Sequence, residues 1–294
     1  MYSNLPDVQN RPDHRGVSLE RVGLTNVKFP TSILRKDGTV SNISTKVKLF
    51  ANLPEIAKGH NLSRFSEVLI DFGETHKMLS SQTMPELLIE MQKRLGSRDV
   101  YARFEFDYYI NKTAPASKKV APMAYSCAMT GIKRNGDTFF ILEVNIVAAS
   151  VCPCSREMSL LENLDLVKDL DIEHPVEHEV CKKVGMGAHN QRSLIKVEVL
   201  LDPDNTLWIE DVIPLVEAQA SAPTFPLLKR PDERFVTEMG YNNAKFSEDI
   251  ARDVQLSLES RKEILEWSLK VENEESIHPF NVMSSSKSKG WNFH

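Results

Sequence analysis

The chain is poor in cysteine, has no long apolar run and shows no excess of basic residues. Its four cysteines are too few for a disulfide framework in 294 residues, so we expect the thiols to stay reduced. No apolar stretch approaches the roughly 20 residues that a membrane helix needs, and residues 1–16 lack the apolar region of a secretory signal. These features predict a cytoplasmic protein with no membrane partner.

The charge balance is slightly acidic, with 36 Lys and Arg against 41 Asp and Glu and a net charge of −5. Proteins that bind duplex nucleic acid usually show a clear basic excess, so we expect no nucleic-acid partner. An anionic small molecule remains compatible with this composition, because a local basic pocket can lie within an acidic protein. The length allows one large or two small globular domains.

Hydrophobic periodicity predicts an α+β fold with an antiparallel sheet. Strands are predicted at residues 39–53, 100–111, 123–133, 138–148, 194–201 and 207–216, and helices at residues 64–71, 84–95 and 247–267. The dipeptide Asn135-Gly136 lies between two of these strands and predicts a tight hairpin. Strands and helices are grouped rather than strictly alternated, which favours α+β over a doubly wound fold.

Cys152 and Cys154 lie where an apolar strand is predicted to end and a loop to begin. A cysteine thiolate is a soft ligand that suits zinc or iron, and it is also a nucleophile. The spacing alone is equally compatible with two inert thiols in a loop. The Cys-Pro-Cys segment is therefore a candidate site for metal binding or nucleophilic catalysis.

A second candidate segment is residues 185–193, where two glycines precede five consecutive polar side chains that begin at His189. Such a density of hydrogen-bonding groups is hard to explain by core packing, although a surface histidine remains the alternative. Cys, His and carboxylate residues from separate segments fit a catalytic metal site better than a structural zinc site, which usually shows two close cysteine pairs.

Several short blocks resemble the type IB GTP cyclohydrolase I family, in order from the first residues to about residue 280. They are residues 5–9, 58–65, 152–157, 188–193, 228–233, 236–238 and 275–278. This resemblance implies a tunnel fold (T-fold), in which two tandem αβ units with antiparallel sheets and helices on one face assemble into a barrel. It also implies a homotetramer with active sites at subunit interfaces.

The resemblance sets the expected domain organisation. We expect an N-terminal arm at residues 1–20, a first T-fold unit at 21–150, a second unit at 151–283 and a flexible tail at 284–294. The second unit would contain an acidic insertion at about residues 160–185.

The activity implied by the resemblance is hydrolysis of GTP to 7,8-dihydroneopterin 3'-triphosphate and formate. This reaction is the first step of tetrahydrofolate biosynthesis and supplies a queuosine precursor. It requires one divalent metal ion per site, with zinc, manganese and ferrous iron as candidates. Metal-bound hydroxide would attack guanine C8, because a bound metal lowers the pKa of water from about 15.7 to about 7.

The family's site residues carry over by motif. The implied metal ligands are Cys152, His189, Glu233 and His278. Glu275 would act beside Cys152 and His189, either by supporting the ligands or by handling protons. Glu248 resembles the carboxylate that anchors the guanine edge, and the candidates for the rest of the substrate are Lys58, His60, Arg64 and Arg192.

Two departures from the family pattern leave alternatives open. Residues 160–185 separate two blocks that the family commonly joins almost directly, which resembles archaeal relatives that make a cyclic phosphate product. Pro279-Phe280 replaces a common Asn-His, so a proton donor is absent at position 280. The alternatives are a T-fold relative with a cyclic phosphate pterin product, a nitrile reductase with a cysteine nucleophile and NADPH, or a non-catalytic protein with a structural ion.

Overall fold

The computed structural model describes residues 8–9, 11–75, 78–169, 187–203 and 205–293. Within these ranges the chain forms nine strands and six helices, which confirms the α+β class. The strands are β1 (Leu19–Leu34), β2 (Val40–Leu53), β3 (Val100–Thr113), β4 (Val120–Arg134), β5 (Asp137–Val151), β6 (Asn190–Leu201), β7 (Ala222–Pro223), β8 (Ile264–Glu274) and β9 (Val282–Lys287). The helices are α1 (Leu62–Glu74), α2 (Met84–Leu95), α3 (Pro153–Asp169), α4 (Ile209–Glu217), α5 (Arg230–Asn242) and α6 (Ser247–Glu259).

The strands of the described residues belong to one sheet, in the order β1-β2-β3-β4-β5-β6-β8-β9, with the short β7 paired to β5. The pairings β1–β2, β2–β3, β5–β7 and β8–β9 are antiparallel. The order follows the sequence, so β5 and β6 are neighbours, and β6 and β8 are neighbours. The end of β5, the start of β6 and the end of β8 carry candidate site residues.

The chain divides into two compact units that are built from interleaved segments. The first unit contains the described residues within 1–108, 126–143 and 199–208, and the second contains those within 109–125, 144–198 and 209–294. The unit boundaries therefore cross β3, β4, β5 and β6. The division of the chain into two tandem repeats remains a prediction.

In the first unit, α1 and α2 pack against each other and against β1 and β2. The buried residues of α2 are Met84, Leu87, Leu88, Met91 and Leu95, which follow the helical spacing predicted for this segment. Helix α2 ends at Gly96, whose positive φ of 63° provides the left-handed C-terminal cap.

The Asn135-Gly136 hairpin is confirmed, since β4 ends at Arg134 and β5 begins at Asp137. Both turn residues have positive φ, 54° for Asn135 and 96° for Gly136. This is the backbone that a two-residue hairpin turn needs to match the twist of its strands, and Asn and Gly adopt it most easily.

In the second unit, α6 packs on β8 and β9. Ile250, Val254 and Leu258 on α6 are fully buried. The helix ends at Glu259 and the chain then forms β8, so the helix predicted over residues 247–267 was too long. Beyond residue 264 the burial alternates along the chain, which is the period of a strand.

The strand predicted over residues 207–216 is wrong, because this segment forms α4. Its buried residues include Ile209, Val212, Ile213 and Val216, which are spaced by three and four as on one face of a helix. The charged residues Glu210 and Asp211 interrupt the apolar residues, and the spacing of those that remain is that of a helix rather than the alternation of a strand.

Both ends of the chain differ from expectation. Strand β1 begins at Leu19, and residues 284–287, expected to be flexible, form part of β9 and pair with β8. Trp291 is 3% exposed and packs edge-on against Phe293, with ring centroids 5.2 Å apart. Burial of the Trp291 ring orders a segment whose composition alone suggested a frayed tail.

The expected acidic insertion, residues 160–185, is described only to Asp169, where α3 ends. Residues 170–186 lie outside the described residues. Among the described helices, none has the length and apolar character needed to cross a membrane.

Candidate active site

The structure brings Cys152 and His189 together. Cys152 directly follows β5 and His189 directly precedes β6, and these strands are neighbours in the sheet. The backbone N–H of Cys152 donates to the carbonyl oxygen of His189 at 3.1 Å. Both residues are half-buried. The two candidates that carry the soft thiolate and the imidazole therefore share one corner of the second unit.

Ser155 fixes this corner from the first turn of α3. Its hydroxyl oxygen accepts the backbone N–H of His189 at 3.2 Å and donates to the carbonyl of Cys152 at 3.3 Å. Helix α3 begins at Pro153, directly after Cys152, where the sequence predicted a loop. Proline is favourable at a first helical position because it lacks an N–H and has a fixed φ.

Glu233 lies in the first turn of α5, and its side chain is exposed. Helix α5 reaches the Cys152 segment through Tyr241, because the guanidinium of Arg156 in α3 lies 5.1 Å from the centre of the Tyr241 ring. The loop after α5 is also tied to this corner, since the N–H of Lys245 donates to the carbonyl of Val151 at 3.0 Å. The C-terminal end of α5 and the loop after it therefore contact the residues on either side of Cys152.

The start of α5 is held by Asp232, which is fully buried. One carboxylate oxygen accepts the backbone N–H groups of Ala116 and Ser117, both at 2.7 Å, and the other accepts that of Lys229 at 2.8 Å. Burial would raise the pKa of Asp232, but the hydrogen bonds from Ser117, Lys229 and Ala116 outweigh it and hold the pKa well below its usual range. The carboxylate stays ionised and fixes the helix start next to Glu233.

Glu275 and His278 lie in the connection between β8 and β9. Glu275 is half-buried, and His278 is exposed and stacks on Phe280, with ring centroids 4.9 Å apart and planes 9° from parallel. The residue at position 280 is therefore an aromatic support for His278 rather than a proton donor.

Among the residues that the structure describes, no group of three or more His, Cys, Asp or Glu side chains lies close enough to hold a metal ion. Cys152 and His189 are brought together, whereas Glu233 and His278 do not complete a four-residue cluster with them in this single chain. The donor set of thiolate, imidazole and carboxylate nonetheless fits a zinc or iron site by its chemistry.

Glu248 and Arg192 are two further predicted substrate residues in the second unit, and both are exposed. Glu248 lies in the first turn of α6 and accepts a hydrogen bond from the Ser247 hydroxyl at 3.0 Å. Arg192 lies on β6 between the buried residues Gln191 and Ser193, so its side chain leaves the opposite face of the sheet.

The other predicted substrate residues lie in the first unit, around a cavity of about 390 Å³. His60 and Arg64 line it together with Arg11, and Lys58 is exposed one residue before Gly59, which also lines it. The His60 Nε2 atom lies 3.1 Å from the carbonyl oxygen of Asn52. Arg64 donates to the carbonyl oxygen of Arg94 at 3.2 Å. The cavity therefore has two guanidinium groups and an imidazole in its lining.

Comparison with known proteins decides the family. Residues 5–284 match the model of the family described as type I GTP cyclohydrolase folE2. The GTP cyclohydrolase FolE2 of Magnetococcus marinus is 38% identical over 93% of this chain and 92% of its own length. That of Thermosipho africanus is 34% identical over 94% of this chain and 95% of its own. This chain belongs to the type I GTP cyclohydrolase FolE2 family.

The fold of this FolE2 family member is also similar to that of uricase, a tunnel-fold protein, from Arthrobacter globiformis. The TM-score is 0.52 at 7% sequence identity, over 94% of this chain and 96% of the uricase. At this identity the similarity shows the fold alone. It supports the tunnel fold that the sequence blocks implied for a single chain.

Three residues that the structure places next to predicted site residues were not singled out from the sequence. Arg11 lines the first-unit cavity, but it lies in a polar segment without periodicity, so nothing in the sequence indicated a role. Asp232 was considered only as a neighbour of Glu233. Gln191 was part of a recognised block, and its position two residues after His189, at the start of β6, was a signal that the two side chains point the same way.

Proposed function

We propose that this protein converts GTP to 7,8-dihydroneopterin 3'-triphosphate and formate. The observation that carries the proposal is the family match over residues 5–284, together with relatives named GTP cyclohydrolase over more than nine-tenths of the chain. Cyclohydrolase activity follows from that match. The identity of the product and the roles of individual residues are the finer parts of the proposal.

We propose that one divalent ion, zinc, manganese or ferrous iron, is held by Cys152, His189, Glu233 and His278. The backbone hydrogen bond between Cys152 and His189 and the contact of Arg156 on α3 with Tyr241 on α5 support this ligand set. When bound, such an ion acidifies water, which is what hydration of a poor electrophile such as guanine C8 requires at neutral pH. Glu275, which is half-buried, would hold or move protons during ring opening.

The remaining predicted residues would bind and orient GTP. The exposed carboxylate of Glu248 can accept the N–H groups of the guanine edge. The triphosphate requires cations, and Lys58, Arg64 and Arg192 supply them, with His60 as a further donor. The cavity that Arg64 and His60 line in the first unit supports this assignment.

We also propose a homotetramer with its active sites at subunit interfaces. Strands β1 and β9 end the sheet order within the described residues, so each presents one open edge. Open edges carry unpaired backbone groups that a strand of another subunit satisfies, as in barrel assembly. The cytoplasmic location and the role in folate and queuosine precursor synthesis remain predictions from the sequence.

The proposed function is tested by incubating the purified protein with GTP and each divalent metal in turn. We expect pterin fluorescence after oxidation, one formate per GTP, and a product that retains a linear triphosphate. Detection of a cyclic phosphate product would contradict the proposed product and would support the reaction of the archaeal relatives. Full turnover by Cys152→Ala or His189→Ala would contradict the site assignment.

A further inference from the structure

A buried network of polar side chains lies behind His189 in the second unit. It joins three neighbouring strands, with Ser150 on β5, Gln191 and Ser193 on β6, and Asn273 on β8. All four residues are buried, with at most 9% of their surface exposed. Polar groups so far from water must satisfy one another, so the direction of each hydrogen bond is constrained by its partners.

The backbone carbonyl of Lys245 determines which atoms of the network donate hydrogen bonds and which accept them. The backbone carbonyl of Lys245 only accepts hydrogen bonds, so the Ser150 hydroxyl, 2.8 Å away, donates its single hydrogen to it. The Ser150 oxygen then accepts from the two amides that surround it. The side-chain nitrogens of Gln191 and Asn273 each lie 3.2 Å from that oxygen.

The orientation of the two amides follows. Because Gln191 turns its Nε2 toward Ser150, its Oε1 faces the Nδ1 atom of His189 at 3.1 Å. Asn273 is oriented in the same way, and its Oδ1 accepts the Ser193 hydroxyl at 2.6 Å. Every polar group of the network thus has a partner of the right kind, and no alternative amide orientation satisfies the Lys245 carbonyl, Ser150 and His189 together.

We infer that Gln191 is a positioning residue that holds His189 in the tautomer with hydrogen on Nδ1 and a lone pair on Nε2. An amide oxygen only accepts, so the neutral His189 ring must place its hydrogen on Nδ1. The nitrogen with the lone pair is the one that binds a metal ion, and a hydrogen bond at the other nitrogen fixes the ring's orientation. This inference rests on the proposed role of His189 as a metal ligand.

The direct test is the protonation state of His189 in the metal-free protein, measured by long-range ¹H–¹⁵N NMR at a pH where the ring is neutral. The chain has eight histidines, and His189→Asn identifies the signal of interest. We expect hydrogen on Nδ1 in the wild type and a shift toward the Nε2-protonated tautomer in Gln191→Met. Hydrogen on Nε2 in the wild type would overturn the inference, and that measurement needs no variant of the network.

The affinity for Zn²⁺, measured on the purified protein by competition with a chelator, gives a second readout. A metal-binding histidine usually donates a hydrogen bond from its other ring nitrogen, and removal of that acceptor typically lowers metal affinity 10–100-fold. We expect a decrease of this size for Gln191→Met. Gln191→Glu keeps an acceptor for Nδ1, so it should retain the tautomer while losing the bond to Ser150. Unchanged affinity and tautomer in Gln191→Met would contradict the role of Gln191.

Ser193→Ala is the matched control. It removes one buried hydrogen-bonding group from the same strand, but Ser193 donates to Asn273 and not to Gln191. We expect it to leave the His189 tautomer unchanged.

If the wild type fails to consume GTP but shows hydrogen on Nδ1, the proposed function fails and this inference stands. Turnover of GTP with hydrogen on Nε2 would instead support the proposed function and overturn this inference.

Discussion

At the scale of single residues, the second unit depends on a buried ion pair. The ammonium of Lys112 lies 2.8 Å from both carboxylate oxygens of Glu217, and the Tyr125 hydroxyl donates to the same carboxylate at 2.8 Å. The ammonium also donates to the carbonyl of Thr224 and lies 4.6 Å from the centre of the Phe225 ring. The arrangement holds β3, β4 and the end of α4 together through fully partnered polar groups.

We predict that Lys112→Met destabilises the protein by about 3–5 kcal/mol, because it leaves the buried carboxylate of Glu217 without its counter-charge. The double variant Lys112→Met/Glu217→Gln should be destabilised by clearly less than the sum of the two single variants. Urea unfolding of the four proteins measures this coupling. Additive effects would show that the pair is not energetically linked.

A second residue-scale prediction concerns pH. Burial would raise the pKa of Glu105, but hydrogen bonds from Lys48 and Arg103, at 2.6 and 2.9 Å, outweigh it and lower the pKa below its usual 4.5. A lowered folded-state pKa means that the stabilisation is fully present above the unfolded value and is lost as pH falls through the folded value. Glu105→Gln should therefore cost about 1 kcal/mol near neutral pH.

Thermal unfolding of the wild type and Glu105→Gln from pH 7 to pH 3 checks this. The free energies of unfolding of the wild type and of Glu105→Gln should differ above about pH 5 and should converge as the pH falls below 4.5. A constant difference across the whole range would mean that the effect of the substitution is not electrostatic.

At the scale of elements, the sequence predicted correctly the structures that depend on residues close together in the chain. The Asn135-Gly136 turn and the apolar stripe of α2 were both predicted correctly, because turn backbone and helical periodicity are encoded within a few residues. The segment 207–216 was assigned to a strand because of its high apolar content, although Ile209, Val212, Ile213 and Val216 are spaced by three and four as in a helix. The helical start at Pro153 was missed because the cysteine motif was interpreted for its chemistry alone.

Gly136→Ala tests the hairpin at this scale. An added Cβ meets no atom within 4 Å, but the φ of 96° is one that alanine rarely adopts. We expect a loss of about 1–2 kcal/mol in the free energy of unfolding. Gly59→Ala is the control, since its φ is not positive and an added Cβ would meet its nearest atom at 3.8 Å. Equal stability of the two variants would contradict the strained-turn explanation.

At the scale of the whole molecule, the family and the fold were accessible from the sequence, and much of the site's geometry was not. Ordered motifs predicted the family because several blocks in sequence order leave few alternatives. They did not indicate the contacts of Gln191 and Asn273 with Ser150, which form only when β5, β6 and β8 become neighbours. Nor did they indicate that Arg11 lines the same cavity as His60 and Arg64.

Metal removal distinguishes a catalytic from a structural ion. The second unit has a large apolar core and, through Asp232 and Lys112, its own polar anchors, so we expect its fold to persist without a metal. We predict that a chelator abolishes GTP turnover while the circular dichroism spectrum and the melting temperature change little. Re-addition of the metal should restore activity. Cooperative unfolding on chelation would instead support a structural ion.

The most direct test of the central claim is the absorption spectrum of the protein loaded with Co²⁺. If Cys152, His189, Glu233 and His278 share one ion, each chain should bind one Co²⁺ and show a thiolate-to-metal charge-transfer band. That band should be lost in Cys152→Ser and kept in Cys154→Ser, the neighbouring thiol that the proposal leaves out of the site. A wild-type protein without the band, or a band that depends on Cys154, would contradict the account.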